Sequence, residues 1–284
     1  MNSDYLIIDP RPLGAFNDET FSNFKKRDVI NKLFKCIEGG KIEEACYWVT
    51  ECICSGYTIE LFEKLIIFSS KIVHINSPNL PEYLWRKYLT FVSSYDHISK
   101  KERGQLIHLR NTQSVRNIFF DLITTITSSP KTIRFDKYTK VKEDDFQYSN
   151  IQSKLKATMQ VLPSHIIRFT DPEELRIIMN EFLFHLKNRN GGYTDAIYWV
   201  EWLVQWEKIN KKKKIKFEIE CRDINEVDPK HCKDPIWLIW EIILKEGVKT
   251  NHDFLNNQIQ ALYKLYKFEF KQSNKSKKKS AILH

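Results

Sequence analysis

The chain has 284 residues, 42% apolar and 13% aromatic, which excludes a disordered polymer and sets a soft expectation of about two domains of roughly 100–200 residues. Eight glycines are too few for an all-β fold with many tight turns, and no apolar run approaches the ~20 residues a membrane span needs. The net charge of +9 is concentrated in the uninterrupted run Lys211–Lys214 and in a terminal cluster that includes Lys275, Lys277, Lys278 and Lys279, so the rest of the chain is near balance.

Residues 1–26, with Pro10, Pro12 and Gly14, read as an extended lead-in, and the start Met1-Asn2-Ser3-Asp4-Tyr5 lacks the pattern of a signal peptide. A soluble, intracellular protein is the expectation. Val29, Ile30, Leu33, Phe34 and Ile37 mark one face of a helix that Gly39-Gly40 stops. Ala45, Trp48, Val49, Cys52 and Ile53 mark a second helix from about Ile42 to Cys54, with Gly56 as its terminating glycine. Thr58 is the expected N-cap of a third helix carrying Leu61, Phe62, Leu65, Ile66 and Phe68, and a fourth runs from about Glu82 to Val92. Residues 100–127 predict at least one more helix. Residues 128–150, with Pro130 and the acidic trio Glu143-Asp144-Asp145, predict an interdomain linker.

The second half opens with a predicted helix near Ile151–Leu162, and Thr170-Asp171-Pro172 reads as the start of a further one. Residues 195–207 are apolar on nearly all sides, with Glu201 and Gln205 as one narrow polar stripe, and predict a central, buried helix. Residues 214–220 alternate as a strand would. Helices follow from Pro235 and over about 251–270, and a basic, disordered tail is expected over 271–284.

The block Glu44-Ala45-Cys46-Tyr47-Trp48-Val49 returns as Asp195-Ala196-Ile197-Tyr198-Trp199-Val200. The surroundings keep register: Tyr47 lies 38 residues before Trp85 and Tyr198 lies 39 before Trp237, while Asn31 and Asn180 precede the tyrosines by 16 and 18. The expectation is therefore an all-α protein of two duplicated helical lobes, 27–127 and 151–270, in which 214–220 is helical despite its alternation. Tyr47, Trp48, Trp85, Tyr198, Trp199, Trp202, Trp206, Trp237 and Trp240 are the expected core aromatics.

No phosphate-binding glycine loop, dinucleotide fingerprint or zinc spacing is present, and the six cysteines read as reduced, small core residues. No catalytic residue, cofactor, metal or small-molecule substrate is predicted. Lys211, Lys212, Lys213, Lys214 and the terminal lysines are either solvated charge or a phosphate-contacting surface, with Arg110, Arg116 and Arg134 adding positive charge near the linker. His231-Cys232 reads as a loop detail.

Ala45, Tyr47 and Trp48, then Gly56, Ser70 and Pro78, resemble the helical C-terminal region of clamp-loader-type AAA+ ATPases of the RarA/MgsA kind; Asp223-Ile224 and Asp228-Pro229 match its closing segment in the second copy. The resemblance covers about 50 residues per copy and implies an oligomerisation collar without its ATPase motor. With the Lys-, Asn- and Ile-rich composition, the chain is also similar to uncharacterised proteins of large DNA viruses, which implies a viral factory or the nucleus of an infected cell. The expectation that follows is a non-enzymatic scaffold associating with itself or with replication and repair proteins. The alternatives are a sequence-independent nucleic-acid binder and a virion or factory structural component.

Overall fold

The structure is a computed structural model that describes residues 6–132, 141–188, 192–215, 218–222 and 229–272. The chain divides into two units, Met1–Ile133 and Arg134–His284, and no β-strand occurs among the described residues.

Unit 1 is built on α1 (Lys26–Glu38) and α2 (Ile42–Cys54), an antiparallel pair, followed by α3 (Thr58–Ile72), α4 (Leu80–Ser93), a 3-10 segment over Lys100–Asn111 and α5 (Gln113–Ser128). α1 and α2 pack on each other and on α5, and the buried residues they bring to this core include Val29, Leu33 and Ile37 from α1, Ala45, Val49 and Cys52 from α2, and Phe119, Leu122 and Ile126 from α5. Phe62 and Phe91 stack with ring centres 5.3 Å apart, and Phe119 meets Phe91 edge-on at 5.4 Å.

Both hairpin helices end the same way. Lys41 N–H reaches back to Cys36 O (3.0 Å) with Gly40 at φ +72°, and Tyr57 N–H reaches back to Cys52 O (3.0 Å) with Gly56 at φ +76°. At Gly56 the requirement is double, because a Cβ would also lie 2.7 Å from side-chain carbons of Ile107 and Leu13. Thr58 departs from expectation. It lies inside α3, no side chain caps that helix, and its buried hydroxyl makes no hydrogen bond among the described residues.

The lead-in, expected to be extended, contains a 3-10 turn over Leu13–Phe16 and a tight turn closed by the Glu19–Lys25 bridge, and it is fastened by side chains of α2 and of the coil that follows it. Glu51 accepts hydrogen bonds from the Ser22 amide (2.7 Å) and hydroxyl (2.8 Å), Ser55 Oγ accepts from the Phe21 amide (2.8 Å), and the Tyr57 hydroxyl bonds Phe16 O (2.5 Å). Arg110, expected to add surface charge, is instead buried and donates to Cys54 O (3.2 Å) and Asp9 O (2.9 Å). Arg134 and residues 133–140 of the expected linker lie outside the described residues, while a 3-10 turn (Glu143–Phe146) and a helix start at Tyr148 fall within its described part.

Unit 2 contains α6 (Tyr148–Lys154), α7 (Glu174–Lys187), α8 (Tyr193–Lys212), α9 (Ile236–Lys249) and α10 (Asp253–Gln272). α7 and α8 form its antiparallel pair, and α10 packs on α9 through Trp237, Trp240 and Tyr266. The helix expected over 151–162 stops at Lys154. Beyond it the chain is irregular, because its amides find partners on α7: Glu181 accepts from Lys156 (3.0 Å) and Ala157 (2.9 Å), and Asn180 Oδ1 accepts from Val161 (2.7 Å) and Leu162 (3.0 Å). Glu181 and the adjacent His185 are both buried, with His185 Nε2 3.4 Å from a Glu181 oxygen.

Asp171 is not a helix cap. Its carboxylate accepts from the Arg168 amide (2.8 Å), the Glu220 amide (2.8 Å) and the Arg222 guanidinium (2.7 Å). The Arg222 and Asp171 side chains are 5% and 0% exposed, and Arg222 also donates to Glu241 (3.1 Å) and to Ile166 O (2.9 Å). The expectation of helix over 214–220 fails in the described residues. Lys214 is a turn and 218–222 is coil, tied by Ile219 N–H to Lys233 O and Arg222 N–H to Cys232 O (3.1 Å each). The lobe duplication therefore has no helical counterpart of α3 among the described residues. Cys221 and Cys232 are joined by a disulfide, against the expectation of reduced cysteines; the hydrogen-bonded pairing of their two segments brings the Cα atoms to 4.9 Å.

Two outcomes follow. Arg222→Ala leaves the buried Asp171 carboxylate without its cation and should cost about 3–5 kcal/mol in urea unfolding. Burial holds the His74 imidazole down to about 4, below the ~6.5 of an unfolded chain. The depressed folded value means that stability is present above about pH 6.5 and drains as pH falls towards 4, by about 2–3 kcal/mol. The difference in unfolding free energy between wild type and His74→Gln, measured at pH 7 and pH 4.5, should shrink by that amount.

Candidate functional site

An α-helix turns 100° per residue, so Tyr47 lies about 200° around α2 from Ala45, which faces the core. Tyr47 is accordingly 56% exposed, against the expectation of a core position, and Trp48 is half-buried between core and surface. The Tyr47 ring meets Trp48 edge-on at 4.9 Å. On the other side Phe24, exposed at the end of a turn in which Asn23 takes φ +63°, meets Trp48 edge-on at 5.7 Å. From α1, the Lys32 ammonium sits 4.7 Å from the Trp48 ring centre and 6.0 Å from that of Phe24. The result is an exposed aromatic face with one cation on it, bordered by exposed Glu43 and by Glu44, which pairs with Lys41 at 2.9 Å. Phe24 and Lys32 carry no motif; only their proximity to the Tyr-Trp pair once α1 and α2 fold back could have marked them.

The second copy of the block is covered. Trp199 is 1% exposed and Tyr198 half-buried, with the Lys154 ammonium 4.2 Å from the Tyr198 ring centre. Lys154 also pairs with Asp145 (3.3 Å), and Lys156 pairs with Asp195 (2.9 Å). Phe146 leans on Trp202 at 4.9 Å. The segment 143–156 thus lies over the block in unit 2, while unit 1 leaves the corresponding tyrosine bare. Of the other expected core aromatics, Trp202, Trp237 and Trp240 are buried, while Trp85 and Trp206 are half-buried.

Lys211, Lys212, Lys213 and Lys214 come together at the C-terminal end of α8, all exposed. Lys211 is paired with Glu207 one turn back. Positive charge at this end complements the negative end of the helix dipole, which is a sufficient local reason for the run. The helix closes as α1 and α2 do, with Ile215 N–H reaching Asn210 O (2.9 Å), but the left-handed position is Lys214 at φ +58° instead of glycine. Lys275, Lys277, Lys278 and Lys279 lie outside the described residues.

Among the described residues no group of His, Cys, Asp and Glu side chains is arranged to hold a metal ion, and no helix is long and apolar enough to cross a membrane. The chain matches no protein-family model, no curated protein and no solved structure.

Lys214→Gly removes a left-handed Cβ that costs roughly 1–2 kcal/mol, offset by the larger chain entropy of glycine. The net expectation is a gain of about 0.5–1 kcal/mol in chemical unfolding. A loss of stability would mean that the Lys214 side chain makes a contact of its own.

Proposed function

We propose that the chain is a non-enzymatic helical association scaffold, and that its docking surface is the aromatic face formed by Phe24, Lys32, Tyr47 and Trp48. The observation that carries this reading is the contrast between the two copies of one sequence block. In unit 2 the block is covered by a segment that brings Lys154 to the tyrosine ring and Lys156 to the preceding acid. In unit 1 the tyrosine is open, and the acids Glu43 and Glu44 stand beside it. The partner that fits is a protein segment carrying spaced lysines and an apolar side chain. It would repeat in trans the cover that unit 2 supplies to itself.

The shared block, and the helix pair that carries it in each unit, support descent of the units from one ancestral module. The clamp-loader resemblance directs the search for partners to replication and repair proteins. Tyr and Trp are enriched among the residues that anchor protein interfaces, which favours association over a purely structural role for this face.

Tyr47→Ala removes an exposed ring and should leave the unfolding midpoint within error. It should abolish the concentration-dependent association of the full chain in sedimentation velocity, or the capture of a replication or repair protein that wild type retains. A wild-type chain that stays monomeric and retains no such protein would end this reading.

A second reading, sequence-independent nucleic-acid binding, is favoured by the exposed lysines at the end of α8. It requires an affinity for DNA or RNA that falls steeply with salt, and a shallower slope for a Lys212→Ala, Lys213→Ala double variant in fluorescence anisotropy.

A further inference from the structure

Cys221 is exposed and Cys232 half-buried, so the bond joining them is open to solvent from the Cys221 side. The other four cysteines are free thiols, Cys36 and Cys52 buried, Cys46 and Cys54 half-buried. Burial pushes all four thiols up, Cys52 to about 12, so their reactive thiolate forms are scarce at neutral pH.

The bond joins two segments that deliver a buried charge. Cys221 precedes Arg222, whose guanidinium enters the network of Asp171 and Glu241 and also bonds Ile166 O and Glu220 O. Cys232 lies between His231, whose carbonyl accepts from Trp237 Nε1 (2.8 Å) at the start of α9, and Lys233, whose carbonyl accepts from the Ile219 amide. The crosslink therefore fastens the Arg222 segment to the chain entering α9, beside a core that includes Trp237 and Trp240. A buried ion pair tolerates loss of position poorly, because a displaced cation leaves an uncompensated carboxylate.

We propose that Cys221–Cys232 is a reversible thiol–disulfide exchange site, opened by a dithiol reductant in the folded protein, and that its opening loosens the Arg222 segment from the core of unit 2. In the reaction a thiolate of the dithiol attacks Sγ of Cys221, the S–S bond breaks, and Cys232 leaves as a thiolate that takes up a proton. The second thiol of the reductant then attacks the mixed disulfide and releases Cys221. Two electrons and two protons pass to the protein, and the reductant ends as its own disulfide.

The test uses the full chain under native conditions with graded ratios of reduced to oxidised dithiothreitol. Cysteines are counted by maleimide labelling and mass spectrometry, and amide hydrogen exchange is followed in parallel. The expected result is labelling of Cys221 and Cys232 ahead of Cys36 and Cys52. Exchange at the Ile219 and Arg222 amides should become faster by on the order of a hundredfold, with α1–α3 unchanged and full recovery on reoxidation. Labelling that appears only in denaturant would make the bond an inert staple, and reduction without a change in exchange would separate it from the Arg222 network; either overturns the proposal. A Cys221→Ser, Cys232→Ser double variant should show the reduced exchange pattern and ignore dithiothreitol. If that variant does not fold, the wild-type titration decides alone.

Discussion

No strand occurs among the described residues, so non-helical backbone amides need partners that a sheet would otherwise supply, and for several segments those partners are polar side chains carried by helices and by their flanking coil. Glu51 and Ser55 hold the lead-in, Glu181 and Asn180 hold residues 156–162, and Asp171 ties the 166–171 coil to Glu220 and Arg222. These buried acceptors do more than fill hydrogen-bonding capacity. A carboxylate withdrawn from water must find several donors at once, so each one selects a single path for the segment it binds.

The anchors explain why the two units differ despite their shared block. In unit 1 the acceptor sits on the second helix of the pair, at Glu51, and draws the lead-in across one side of α2. In unit 2 it sits on the first helix, at Glu181, and the bound segment follows a short helix that lies over Tyr198. One hairpin geometry thus carries two different covers, and only the second reaches the tyrosine.

Much of the helical framework was legible because helix pattern and helix end are both local. The bounds of α2 follow from its apolar stripe and from Gly56, and the same holds for α1 with Gly40. What escaped was non-local or depended on angle. Tyr47 looked like core because aromatic character was weighed before its position around the helix. Thr170-Asp171-Pro172 read as a helix start from local pattern alone, while the Asp171 carboxylate serves a cation 51 residues away at Arg222. The alternation over 214–220 carried real information that helix was wrong, yet its described residues 218–220 form coil held by isolated hydrogen bonds and no strand. The disulfide was hidden for a similar reason, since a pairing depends on approach in space and not on spacing.

The fastening of the lead-in has a kinetic side. The α1–α2 and α7–α8 pairs join neighbours across a few residues of chain, so little chain entropy opposes their formation. Ile7 and Asn111 exchange amide and carbonyl hydrogen bonds across 104 residues, and Arg110 reaches Asp9 across 101. Closing a loop of that length is opposed by more entropy than any helix hairpin meets. The segment around Ile7 and Asp9 is therefore expected to be gathered in last, since unit 1 must assemble its helices before that segment has anything to which it can attach.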